Sequence, residues 1–131
     1  MINTTKVKKQ FTMEQDYDYQ GDSLLFNITE DYKYRKSVRV NDNIIIDFDE
    51  NDVPVALELL NASKIFHVKR SSLTHPVGID MHIAVGEDLI RLEAKFRISI
   101  HQKPTPLSLN KQVINDKGLS TCEAHFAEAL I

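Results

Sequence analysis

Twelve consecutive residues, L-I-R-L-E-A-K-F-R-I-S-I (89–100), alternate between apolar and polar side chains without a break. Ile90, Leu92, Ala94, Phe96, Ile98 and Ile100 point one way, and Arg91, Glu93, Lys95, Arg97 and Ser99 point the other. A period of two belongs to a strand, because successive Cβ atoms leave opposite faces of the pleat. One packed face and one wet face is the behaviour of an antiparallel sheet. The preceding V-G-I-D-M-H-I-A-V (77–85) repeats the pattern with Ile79, Met81, Ile83 and Val85 inward, and Gly86-Glu87-Asp88 turns the chain between the two runs.

The same period recurs earlier. Phe11 and Met13 alternate with polar neighbours before the turn-rich D-Y-D-Y-Q-G-D, and Leu24, Phe26 and Ile28 share a face in S-L-L-F-N-I. S-V-R-V (37–40) reads as a strand, and Asn41-Asp42-Asn43 as the tight turn these residues favour. A hairpin then folds about D-E-N-D (49–52), a type I turn composition. Opposing Phe48 to Val53 places Ile46 opposite Val55 and Ile44 opposite Leu57, while a one-residue slip would oppose apolar to polar side chains. L-L-N-A-S-K (59–64) is too short for an independent helix and reads as one helical turn. K-P-T-P (103–106) reads as a link, and the segments either side of N-D-K-G (115–118) as a last hairpin, Gly118 suiting its turn. Residues 119–131 are also compatible with a helix through Ser120-x-x-Glu123, but the turn before them asks for a strand. The expected fold is mainly β: an antiparallel sandwich or strongly curved sheet of about eight or nine short strands, with one short helical turn near 59–64. The 131 residues make a single domain, with residues 1–10 a polar arm.

Composition closes off several functions. Net charge is −3, so no face is basic enough for nucleic acid. Cys122 is the one cysteine, which excludes an internal disulfide and a thiolate metal cluster and fits a reducing, cytoplasmic setting. No apolar run approaches the ~18 residues of a membrane helix. No Gly-rich phosphate loop, nucleophile elbow or dinucleotide fingerprint is present, and neither a catalytic residue nor a cofactor is indicated. His67, His75, His82, His101 and His125 read as surface residues without zinc-site spacing. Cys122 and His125, three apart on a strand, face opposite ways.

The remaining chemistry is acidic. Asp47, Asp49 and Glu58 imitate part of a calcium loop, but the position needing glycine holds Asp52. In the register above Glu58 lies near Asn43, four residues from Asp47, which at ~3.3 Å per residue leaves roughly 13 Å between them. Asp18 and Asp22 flank the first turn. These five residues, Asp18, Asp22, Asp47, Asp49 and Glu58, are the candidate binding residues, and no metal is assigned to them.

Y-D-Y-Q-G-D-S-L-L-F-N-I (17–28) and I-I-I-D-F-D-E-N-D-V-P-V-A-L-E-L-L-N-A-S-K (44–64) resemble the two blocks of a prokaryotic family, domain of unknown function 2283. The resemblance spans about residues 11–66, leaving 67–131 as additional strands. Phe26, Asp52 and Ala56 replace the family's usual Tyr, Gly and Gly. The resemblance implies no activity or cofactor; it suggests an antitoxin-like role with a small protein partner. Many strand edges in one small chain point the same way, towards self-association or a protein partner.

Overall fold

The computed structural model describes residues 7–128. Nine strands form one sheet: β1 (Val7–Asp18), β2 (Ser23–Ile28), β3 (Tyr34–Asn41), β4 (Ile44–Asp49), β5 (Pro54–Leu60), β6 (Gly78–Val85), β7 (Leu89–Ile100), β8 (Lys103–Ile114) and β9 (Cys122–Glu128). Their order is β3-β4-β5-β2-β1-β9-β6-β7-β8. The sheet curls into a half-barrel whose edge strands, β3 and β8, approach each other without hydrogen bonding. A short helix, α1 (Ala62–Phe66), and a 3-10 turn (Arg70–Leu73) connect β5 to β6.

Curling brings the inner faces of distant strands together. Phe96 on β7 lies 5.8 Å from Phe26 on β2 and 5.0 Å, edge-on, from Phe66 at the end of α1. All three are essentially sealed from solvent, and one continuous core joins both halves of the chain. Each such buried side chain contributes about 1.5–3 kcal/mol through burial. The inward sets read from the sequence on β2, β6 and β7 are the buried ones, except that Ile100 at the end of β7 is half-buried.

Five details differ from expectation. The polar arm is already strand from Val7 onward, because Val7–Met13 pairs with Cys122–Glu128. That pairing is parallel, and β9 does not pair with β8; it fills the gap between β1 and β6, where Phe126 stacks on Phe11 at 5.5 Å. The loop before β9 leaves the β8 edge through buried Asn115, whose amide bridges Gly86 and Leu119. Lys103–Pro106 belongs to β8, because an edge strand can spare the N–H groups that proline lacks. The helical turn starts only at Ala62, since Leu59 is held in strand between Ile44 and Leu24.

The fifth difference is the register of the central hairpin. Ile44 faces Leu59 and Ile46 faces Leu57, two residues from the expected pairing, and a bulge follows Asp47. A two-residue slip keeps every side chain on its own face, so hydrophobic alternation cannot distinguish the two pairings. The turn decides instead. Asp49 Oδ1 accepts from the backbone N–H groups of Asn51 and Val53 and draws in a wider loop. Asp52 takes the left-handed conformation (φ 61°) there and reaches across to the Ser120 amide and hydroxyl.

Candidate functional site

The shifted register puts Glu58 opposite Ile45 rather than beside Asn43. Glu58 and Asp47 therefore become diagonal neighbours on the outer face of the sheet, which corrects the separation of roughly 13 Å expected from the sequence. Asp47 and partial burial push Glu58 up to about 7, opposed by Arg39. Two neighbouring carboxylates cannot both ionise cheaply, so Glu58 takes up a proton as pH falls through about 7.

The pair is tied to the edge of the sheet. Ser37 Oγ on β3 donates to Asp47 Oδ1 at 2.6 Å, and the Ser37 and Tyr34 hydroxyls lie 2.8 Å apart. Tyr32 is half-buried, and its phenol is pushed up by burial and by the charges of Asp47 and Glu58. The result is a hydrogen-bonded row from exposed Tyr34 through Ser37 to the Asp47–Glu58 carboxyl pair. It can store and exchange a proton or pair with a polar group.

The other three acids do not join it. Asp22 is 1% exposed and accepts from Tyr17 Oη at 2.7 Å, Ser63 N at 3.0 Å and Ser63 Oγ at 2.6 Å. It docks the first turn of α1 onto the β1–β2 turn. Burial opposes its ionisation, but the Ser63 and Tyr17 hydrogen bonds and the Arg70 charge hold its carboxyl below the usual range. Asp18 folds over Gly21, its carboxylate taking the space a side chain there would enter. Asp49 is spent on its own turn. Among the described residues no three His, Cys, Asp or Glu side chains are arranged to hold a metal ion.

Sequence reading passed over two features. His82 on β6 and His125 on β9 stand directly opposite each other, with His125 Nε2 2.7 Å from Asp80 and His82 Nε2 3.9 Å from Glu123. No spacing along the chain could show this, because the β6–β9 pairing was not expected. The second is a cleft of about 530 Å³ at the β4–β5 turn, lined by Lys9, Phe11, Tyr32, Asp52 and Cys122. In it Asp52 Oδ1 is buried with no hydrogen-bond partner among the described residues.

Comparison with known proteins bears on the family. A family described as protein of unknown function (DUF2283) matches residues 15–63. An uncharacterised protein of Methanocaldococcus jannaschii is 36% identical over 120 residues, covering 88% of this chain and 95% of the relative. A Methanosarcina mazei protein, provisionally named a hypoxanthine phosphoribosyltransferase, is 30% identical over 112 residues, covering 86% of this chain and 89% of its own. No solved structure matches. With the two sequence blocks, the hairpin they build and the family match over them in agreement, the chain belongs to the DUF2283 family of proteins of unknown function.

Proposed function

We propose that the protein is a non-catalytic interaction module that pairs with a second copy of itself along the edge of β8. The supporting observation is the parity of that edge. Asn115 N donates to Asp88 O across the β7–β8 ladder at 2.8 Å, so odd-numbered residues face β7 and even-numbered ones face outward. Pro104 and Pro106 are on the outward parity and close the first half of the edge to pairing. Ser108, Asn110 and Gln112 leave the second half open, with Lys111 its one charged residue and Ile114 66% exposed beside it. The other edge, β3, carries Arg35, Lys36 and Arg39 and two register irregularities, which blunt it.

Antiparallel self-pairing centred on Asn110 sets Ser108 against Gln112, Lys111 against Leu109 and Val113 against Leu107. It makes about six main-chain hydrogen bonds and stops where Ile114 meets Pro106. The acidic turns support ion binding less well, because Asp22 and Asp49 already accept internal donors.

The test is native mass by light scattering from 10 to 500 µM, with two proline variants. Asn110→Pro removes an outward N–H and is expected to yield a folded monomer. Lys111→Pro removes a β7–β8 ladder bond and is expected to cost about 1–3 kcal/mol of stability. A wild-type monomer throughout, or a dimer indifferent to Asn110→Pro, refutes self-pairing. A different protein co-purifying in stoichiometric amount would replace the second copy as occupant.

A further inference from the structure

Although the chain carries 19 carboxylates, none falls between Leu59 and Ile79 or between Ala94 and Asn115. The first stretch holds α1 and the 3-10 turn; the second holds the end of β7, the turn into β8 and β8 itself. They meet at a groove of about 690 Å³, within the size range of small-molecule sites. His67, Lys69, Ser71, Ser72, His75 and His101 supply most of its polar lining. Ser99 and Gln102 complete the polar lining, and Val68 and Ile100 supply its apolar part. Each of these polar side chains can donate a hydrogen bond, and none is a carboxylate.

A second observation is conformational. His67 (φ 56°), His101 (φ 52°) and Gln102 (φ 64°) are in the left-handed region, and all three line this groove. His67 ends α1, where glycine or asparagine is the usual residue. His101 and Gln102 form the two-residue turn between β7 and β8, where Asn-Gly is favoured. At positions where backbone energy favours small residues, the chain carries imidazoles facing one cavity. Strain held at a surface groove is a mark of use.

We propose that this groove binds a small phosphorylated molecule, with its phosphate held by Lys69 and the protonated imidazoles of His67, His75 and His101. A tetrahedral dianion offers only acceptors, matching a lining of donors. Imidazoles gain positive charge on protonation, so binding strengthens on the acid side. Lys64 on α1 and Lys103 on β8 stand within three residues of the lining along the chain. Arg70 is engaged by the Tyr19 and Gln20 carbonyls, and Arg97 on β7 is paired with Glu128. Two carboxylates on β1 oppose the effect: Asp16, which lines an adjoining groove with His75, and Glu14, which lines another with Ser99 and Gln102.

The test follows the five histidine ring signals by NMR while inorganic sulfate, phosphate and phenyl phosphate are added at constant ionic strength. Sulfate keeps its double charge at both pH 6.0 and pH 8.0, so its affinity reports the protein alone. The expected result is saturable shifts of His67, His75 and His101, with His82 and His125 unmoved. Sulfate should bind at least tenfold more weakly at pH 8.0, and phenyl phosphate should bind at least as tightly as phosphate. The double variant His67→Asn/His101→Asn suits the left-handed backbone, so it should melt no lower than wild type yet bind at least tenfold more weakly. Equal sulfate affinity at both pH values, equal shifts at all five histidines, exclusion of the ester, or a double variant that binds like wild type would each overturn the proposal.

Discussion

Glu58→Gln is expected to stabilise the protein in alkali and not in acid. Glu58 sits at about 7 instead of 4.5 because Asp47 and partial burial favour its protonated form. A raised carboxyl pKa means the folded state holds its proton more tightly than the unfolded chain does. Below about 4.5 both states are protonated and nothing is at stake. As pH rises through 4.5–7 the unfolded chain releases its proton first, and folding loses stability until both states are ionised. At 1.36 kcal/mol per tenfold change the full loss is about 3 kcal/mol. Solvent screening at this half-buried site brings the expected figure to about 1–2 kcal/mol. Glutamine keeps the shape and a hydrogen-bond donor, as the protonated acid does, but never ionises. The variant should therefore melt about 3–7 °C above wild type at pH 8 and level with it at pH 4.5. Thermal denaturation at both pH values reads this directly, and combining the change with Asp47→Asn should remove the gain. A gain of equal size at both pH values, or none at pH 8, would refute the raised Glu58 pKa.

Three further outcomes are expected. Asp22→Ala strands the Tyr17 hydroxyl and the Ser63 amide, and should cost about 3 kcal/mol in urea denaturation at pH 7. Asp22→Asn should cost less, and because the native carboxyl is held low, that cost should vanish as pH falls below its ordinary range near 3.8. Phe96→Ala, which empties the contact with Phe26 and Phe66, should lose about 3–5 kcal/mol by the same measurement. Cys122 is buried, which pushes its thiol up, so a disulfide reagent at pH 8 should label it at least about 100-fold more slowly than in urea.

What could be read in advance followed the range of the interactions. Alternation on β6 and β7 is local, so their inward faces were plain before any pairing was known. Pairing modulo two is also local, which is why Ile44, Ile46 and Phe48 were assigned the right face with the wrong partners. The true register depends on one side chain, Asp49, capping its own loop, and a hydrophobic pattern carries no trace of that. β9 was expected as a strand only because the turn at Gly118 asked for a partner, and its place beside β1 depends on residues more than a hundred positions away. For the same reason Asp47 and Glu58 looked separate, His82 and His125 looked unrelated, and two carboxylate-free runs gave no sign of meeting.

The β1–β9 pairing also governs when the domain can form. Val7 must wait for Cys122, so during synthesis the first strand emerges long before its parallel neighbour exists. Until β9 clears the ribosome, the sheet is two separate fragments, each with an unpaired inner edge on β1 or β6. Contacts this remote make for slow closure and a long interval of exposure to other chains. Deleting β9 would therefore leave two sticky half-sheets, and the yield of folded protein in a cell would depend on how quickly that last strand is delivered.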